Sequence, residues 1–293
     1  RLRPIGTNRF NMKSKYSFSQ ICLTGLVLIG LSTGFRFESP ILLENQQFQI
    51  TLNQTGYITQ LIDKRTGTDY ALARHPSPIL TLIVQDSLLL PKKAIYLPKE
   101  ARILLQFQDN LTAQIQVVIK DSHFSFELIR LSNEAAVDVV IWGPYATGIN
   151  GSIGETIGIV QNASFTVGIQ ALNPKTLGGY PWKANDHLPQ MDIFEQDDFE
   201  DVTHSKRWVL YSVEAAKPTD YGSTLQAYTR NRSKDRVIEN WGHKRFVAPA
   251  FADGGLIGSK IALFGCATDQ TLTNIGAIEL AEGLPHPTIN GQW

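Results

Sequence analysis

The 293-residue chain carries 27 Lys+Arg against 27 Asp+Glu, is 43% hydrophobic and 10% aromatic, and holds two cysteines. The apolar and aromatic content excludes a wholly disordered chain, and the length suffices for one large β domain or two ordinary ones. Two cysteines exclude a disulfide scaffold or a multi-cysteine zinc module. Residues 1–34 hold five bases (Arg1, Arg3, Arg9, Lys13, Lys15) and no acid, so the other 259 residues carry 22 bases and 27 acids. A body of net charge −5 argues against nucleic acid, whose phosphates demand a basic surface, and gives no support for an anionic membrane surface.

Met12 reads as the start, with residues 1–11 as upstream translation. Lys13 and Lys15 precede the apolar run Ile21–Leu31, and Ser32-Thr33-Gly34 follows. A basic region, a short apolar core and small residues at the cleavage point make a bacterial-type signal peptide over 12–34. The run would rise only about 17 Å as a helix against a bilayer core of roughly 30 Å, so an uncleaved anchor is the weaker alternative. The expected location is therefore exported: periplasmic, cell-surface or secreted. Cys22 leaves with the signal, and Cys266, in LFGCA, reads as a buried thiol.

From Gln46 to Cys266 the pattern has period two, the mark of strands. Gln47–Leu52 and Tyr57–Ile62 form a hairpin, and Asp63–Gly67 (DKRTG) closes the next turn. Ile79–Gln85, Arg102–Gln108, Ala113–Lys120 and Phe124–Leu131 follow, then the more continuously apolar Val137–Trp142, expected to be central. Later strand candidates are Thr156–Val160, Phe165–Ala171, Arg207–Ala215, Thr224–Arg230 and Ile257–Phe264. Frequent strands without intervening helices predict antiparallel sheets packed face to face, and no repeat supports a propeller. Residues 173–204 read as a long surface excursion. Asp269 is the expected N-cap of a helix in which Leu272, Ile275, Ile278 and Leu280 approach helical spacing and which stops at Gly283-Leu284-Pro285. Residues 283–293 read as a linker entering something larger.

Within the excursion lie Asp192, Glu195, Asp197, Asp198, Glu200 and Asp201. Six acids this close repel one another unless solvated or neutralised by a cation. Three readings stay open: a solvated loop, a Ca²⁺ site built on Asp192, Glu195, Asp197 and Asp198, or catalytic acids. Trp142 and Tyr145 (WGPY) and Tyr180 and Trp182 (GGYPW) are candidate sugar-stacking rings, Trp182 first among them, with ordinary core rings as the alternative. The six histidines form no metal-binding pair, and His123, in an apparent strand, reads as structural. Neither GxSxG nor GxxxxGK[ST] occurs.

Two stretches carry a resemblance. Gln49–Tyr70 (QITLNQTGYITQLIDKRTGTDY) resembles the first hairpin of the galactose-mutarotase-like supersandwich that precedes the catalytic barrel in secreted bacterial glycoside hydrolases of the α-galactosidase-like and endo-α-N-acetylgalactosaminidase-like kinds. Ile278–Trp293 resembles the passage from that domain into a (β/α)₈ barrel. The resemblance implies an all-β fold, a large antiparallel β-supersandwich over 38–268 with a C-terminal connector helix, and 269–293 leading into a catalytic barrel absent here. It implies a non-catalytic part of a glycoside hydrolase with carbohydrate and the barrel as partners, no catalytic residue in this chain and no certain cofactor. The rival readings are a free-standing carbohydrate-binding module and, less favoured, a mutarotase-type sugar epimerase, which needs a His base and a carboxylate in an open pocket.

Overall fold

The computed structural model describes residues 39–154, 157–181, 215–238 and 246–286. In chain order the strands are β1 (Ile41–Glu44), β2 (Phe48–Leu52), β3 (Tyr57–Asp63), β4 (Thr68–Asp69), β5 (Ser77–Pro78), β6 (Thr81–Val84) and β7 (Ser87–Leu89). They continue with β8 (Lys93–Leu97), β9 (Arg102–Gln106), β10 (Thr112–Ile119), β11 (Phe124–Leu131), β12 (Val139–Thr147), β13 (Ser152–Gly154) and β14 (Gly158–Gln161). The last are β15 (Phe165–Ala171), β16 (Leu177–Gly178), β17 (Ala216–Thr219), β18 (Gly222–Arg230), β19 (Arg236–Ile238), β20 (Phe246–Ala248) and β21 (Lys260–Ala267), before helix α1 (Thr271–Glu282).

An eight-stranded antiparallel sheet, ordered β13-β14-β15-β21-β11-β10-β9-β8, makes one layer. The facing layer consists of a five-stranded sheet (β1-β2-β3-β4, with β5 on β3) and a six-stranded sheet (β16-β18-β12-β6-β7, with β17 on β18). One continuous core fills the space between them, running from Ile41 and Phe48 through Ile115, Phe126 and Trp142 to Leu263. This is the antiparallel all-β sandwich predicted from the strand pattern, and the alternation that predicted it is plain in β10, where Ala113, Ile115 and Val117 point inward between half-buried polar neighbours. The long apolar segment beginning at Val137 is central, since β12 lies between β18 and β6.

Strand β21 is buried at six successive positions because it is covered on both faces. Ile261 and Leu263 enter the main core, whereas Ala262, Phe264 and Cys266 meet Ile275 and Ile278 of α1. Glycines make these approaches possible. A Cβ on Gly265 would lie 2.6 Å from the Phe48 ring, and one on Gly168 would lie 2.2 Å from Phe264.

The expected cap of the helix is corrected. Asp269 sits in a preceding 3₁₀ turn (Thr268–Gln270), and Gln270 occupies the cap position without a side-chain cap bond. Leu272 and Leu280 are 68% and 69% exposed. The face turned to the sheet instead follows Thr271, Ile275, Ile278 and Glu282, a run of helical spacing that includes polar residues at both ends. Gly283, at φ +68, ends the helix in the left-handed conformation predicted by its glycine. No helix of the described residues is long and apolar enough to cross a membrane.

Candidate functional site

A cleft of about 730 Å³ opens where β11, β18 and the segments 173–177 and 251–258 converge. Lys175 holds the last segment in place: its ammonium donates to the Asp253 carboxylate (2.8 Å), the Ile257 carbonyl (2.9 Å) and the Gly255 carbonyl (3.2 Å). From the other side Glu134 accepts from the backbone N–H groups of Leu256 and Ile257. The Asn173 amide donates to the Gly258 carbonyl at 2.6 Å. Backbone bonds from Arg232 to Gly254 (2.6 Å) and from Phe251 to Arg232 (2.9 Å) then tie the segment to the chain leaving β18. Gly254 is required at this crossing, since a Cβ there would lie 2.2 Å from the Arg232 carbonyl oxygen.

That scaffold presents Phe251, 58% exposed, at the cleft. The Arg232 guanidinium lies over its ring, 5.9 Å from the centroid. Arg230, also lining the cleft, lies over Tyr228 at 5.8 Å. Ile129, Leu177 and Ile257 add apolar lining, and Glu127 an acidic group. The β19–β20 ribbon pairs Val237 with Val247, which are 64% and 58% exposed. A concave wall with an exposed ring, apolar neighbours and a few fixed charged donors is suited to a flat ligand having one apolar face and polar edges.

The residues singled out from the sequence fall in different places. Trp142 and Tyr145 are fully buried, which corrects their candidacy as sugar platforms. The Trp142 indole donates to the Ser259 hydroxyl (2.9 Å) and the Tyr145 hydroxyl to the Ile79 carbonyl (2.8 Å). The cause is a register shift between them: β12 bulges at Gly143-Pro144, so two residues three apart both turn inward. Tyr180 is half-buried and packs on Val139, Ile141 and Tyr228, next to the ring that carries Arg230. Trp182, Asp192, Glu195, Asp197 and Asp198 lie outside the described residues, as does most of the strand proposed at Arg207–Ala215. Among the described residues no group of three or more His, Cys, Asp or Glu is arranged to hold a metal ion.

A second polar constellation is closed to ligands. His123 has no exposed side-chain surface and Glu282 only 3%. Nε2 of His123 donates to the Glu282 carboxylate at 3.0 Å, and Lys120 and Lys260 bind the same carboxylate. Burial would raise the Glu282 pKa, but the hydrogen bonds from Lys120, Lys260 and His123 outweigh it and hold the carboxyl at about 2. Burial also holds His123 below its ordinary value, against the pull of Glu282. The expectation that His123 is structural agrees with this geometry.

The cleft residues escaped sequence reading because Glu127, Lys175, Arg230, Arg232 and Phe251 are scattered along the chain. The available signal was Phe251 itself, a lone aromatic in the turn-rich stretch APAFADGG.

No family model matches the chain, and no curated protein matches it. Among solved structures, a polysaccharide lyase superposes on 83% of this chain with 10% sequence identity and a TM-score of 0.36. The chain spans 35% of that structure's length.

Proposed function

We propose that this chain is the non-catalytic β-supersandwich of an exported glycoside hydrolase and that it holds glycan in the cleft beside Phe251. The observation carrying the reading is the exposed Phe251 ring in a concave wall, fixed from behind by backbone bonds and flanked by the Arg232 guanidinium. Such a ring takes the C–H face of a sugar, and charged donors at its edge orient the hydroxyls. Export rests on the basic, apolar and small-residue succession over 12–34, and the barrel partner on the resemblance at Ile278–Trp293.

Calorimetric titration of the purified chain with neutral and acidic oligosaccharides tests the binding half. Phe251→Ala weakens binding roughly tenfold or more while the melting temperature stays within about 2 °C, since the ring is mostly exposed. Unchanged affinity in that variant overturns the assignment of the cleft. The enzyme half is tested by reading the coding DNA beyond the codon for Trp293: continuation into alternating strands and helices supports a following barrel, and an immediate stop removes it.

The second reading, a free-standing carbohydrate-binding module, uses the same exposed Phe251 ring with the Arg232 guanidinium over it and requires no barrel. The epimerase reading lacks comparable support. Its requirement is a His–carboxylate pair facing an open pocket, whereas His123 and Glu282 are enclosed.

A further inference from the structure

Five charged residues line the cleft, and four of them are already engaged. The Lys175 ammonium pairs with the Asp253 carboxylate at 2.8 Å and also donates to the Gly255 and Ile257 carbonyls. The Arg232 guanidinium sits over Phe251 and that of Arg230 over Tyr228, and each has a further partner. The fifth, Glu127 of β11, is half-buried, and among the described residues its carboxylate makes no hydrogen bond and no ion pair. The sheet explains why. Its register sets Glu127 opposite Lys260 on β21 and Gln116 on β10. The Lys260 ammonium is drawn to Glu282 at 2.7 Å. The Gln116 amide nitrogen donates to the Glu100 and Ala101 carbonyls, at 3.0 Å each, while its oxygen accepts from Arg102 at 3.2 Å. Both flanking donors are spent, so the Glu127 carboxylate keeps its acceptor capacity for the cleft.

A carboxylate partly withdrawn from water without a partner has lost hydration that a donor-bearing ligand restores. It accepts and never donates, so the ligand must bring the hydrogens. An acidic sugar sets its own charge against Glu127 and finds the cations of the cleft already partnered. The ammonium of an amino sugar meets Glu127 among three cations and one further acid. Adjacent hydroxyls of a neutral ring meet neither objection. They donate to the two carboxylate oxygens in charge-assisted hydrogen bonds while the C–H face of the ring lies on Phe251. A cleft of this size has room for a sugar to meet both groups.

We infer, on the carbohydrate reading above, that Glu127 is the specificity-determining acceptor of the cleft and selects a neutral sugar, two adjacent hydroxyls of which donate to its carboxylate while the ring rests on Phe251.

The test is calorimetric titration of the full chain with tetrasaccharides of equal length: neutral oligomers of galactose, glucose, mannose and xylose, a galacturonate oligomer and a protonated glucosamine oligomer. At least one neutral ligand is expected to bind about tenfold more tightly than either charged one. Glu127→Gln, which replaces one acceptor oxygen by a donor, weakens that ligand about tenfold, while the melting temperature stays within about 2 °C because the carboxylate holds nothing else in the chain. Glu127→Ala serves if the glutamine variant fails to fold, and Phe251→Ala weakens the same ligand from the other side. A parent chain that prefers a charged oligosaccharide, or a Glu127→Gln variant with unchanged affinity, overturns the role of Glu127 and leaves the carbohydrate reading standing. So does an affinity loss that comes with a large fall in melting temperature, which marks Glu127 as a structural group. Binding of none of the six by the folded chain overturns both.

Discussion

His123 and Glu282 are 159 residues apart in sequence and meet at 3.0 Å, joining the start of β11 to the last turn of α1. Because a carboxylate only accepts, Nε2 carries the hydrogen, which leaves Nδ1 to accept from the Ser122 hydroxyl at 2.8 Å. Both ring nitrogens are thus satisfied in the neutral imidazole. Lys120 and Lys260 supply the positive charge that keeps Glu282 ionised, although a carboxylate at a helix C-terminus faces the negative end of the dipole.

Stability should fall toward acid in two stages. Below the ordinary His value of 6.5 the unfolded chain takes up a proton on His123 that the buried ring resists, so stability declines as pH falls through that range. Below 4.5 the unfolded chain also protonates Glu282 while the folded chain keeps it ionised to about 2, so a second loss follows over that window. Asp63, held below its ordinary 3.8 by Arg65 and Thr66 against the opposing effect of burial, adds to the loss at the acid end. A thermal melting series from about pH 8 to about pH 3 checks this, and a profile flat down to about pH 4 contradicts it.

Replacing Glu282 with Ala should loosen α1 without disturbing the distant β8–β9 hairpin. The change strands two half-buried lysines and the His123 donor, at a cost of about 2–3 kcal/mol, or roughly 4–10 °C in melting temperature. Glu282→Gln, which keeps the shape and an acceptor for His123, loses less. Hydrogen exchange read by mass spectrometry should localise the effect to Thr271–Glu282 and the adjoining part of β21. Uniform loss of protection across the whole sandwich speaks against a local clamp.

The contact between Gly265 and Phe48 makes the central strand intolerant of even one methyl group. Phe48 is fully buried against Phe124 (6.0 Å) and Phe165 (5.9 Å), so its ring cannot retreat from a Cβ that would lie 2.6 Å away. Gly265→Ala should cost about 3 kcal/mol, the upper end for overpacking. Combined with Phe48→Leu, which makes room, the double variant should be less destabilised than the sum of the single changes. Strict additivity in chemical denaturation would show that the two positions do not share the space.

These sites differ in how much the sequence revealed of them, for physical reasons. The strands were legible because a half-buried strand must alternate, as β10 does. Where covering on both faces removes alternation, as in β21, the segment was still found but its start fell at Ile257 instead of Lys260. The inward turn of Tyr145 depends on a bulge that a simple count of two cannot see. The helix was legible and its buried face was not, because Glu282 occupies an apolar stripe through partners in the β10–β11 turn and on β21. The cleft was not legible at all: Glu127 and Phe251 are brought together only by the pairing of β11 with β21 and the loop that enters it.

Cys266 offers a direct reading of whether α1 is docked. Its side chain is fully buried with Phe264, Ile275 and Ile278, and burial pushes the thiol pKa up to about 11. The thiolate is the reactive form, and near pH 8 only about one thiol in a thousand is ionised at any moment, so reaction is slow even where the reagent reaches the sulfur. In a Cys22→Ser background, which leaves Cys266 as the sole thiol, an excess of a maleimide reagent should fail to label the folded chain over hours and label the denatured chain within minutes. Adding Glu282→Ala should raise the labelling rate of the folded chain several-fold, because the reagent enters when α1 lifts from β21. Equal rates with and without Glu282 would separate the ion cluster from helix docking, and rapid labelling of the folded parent chain would contradict the enclosed thiol.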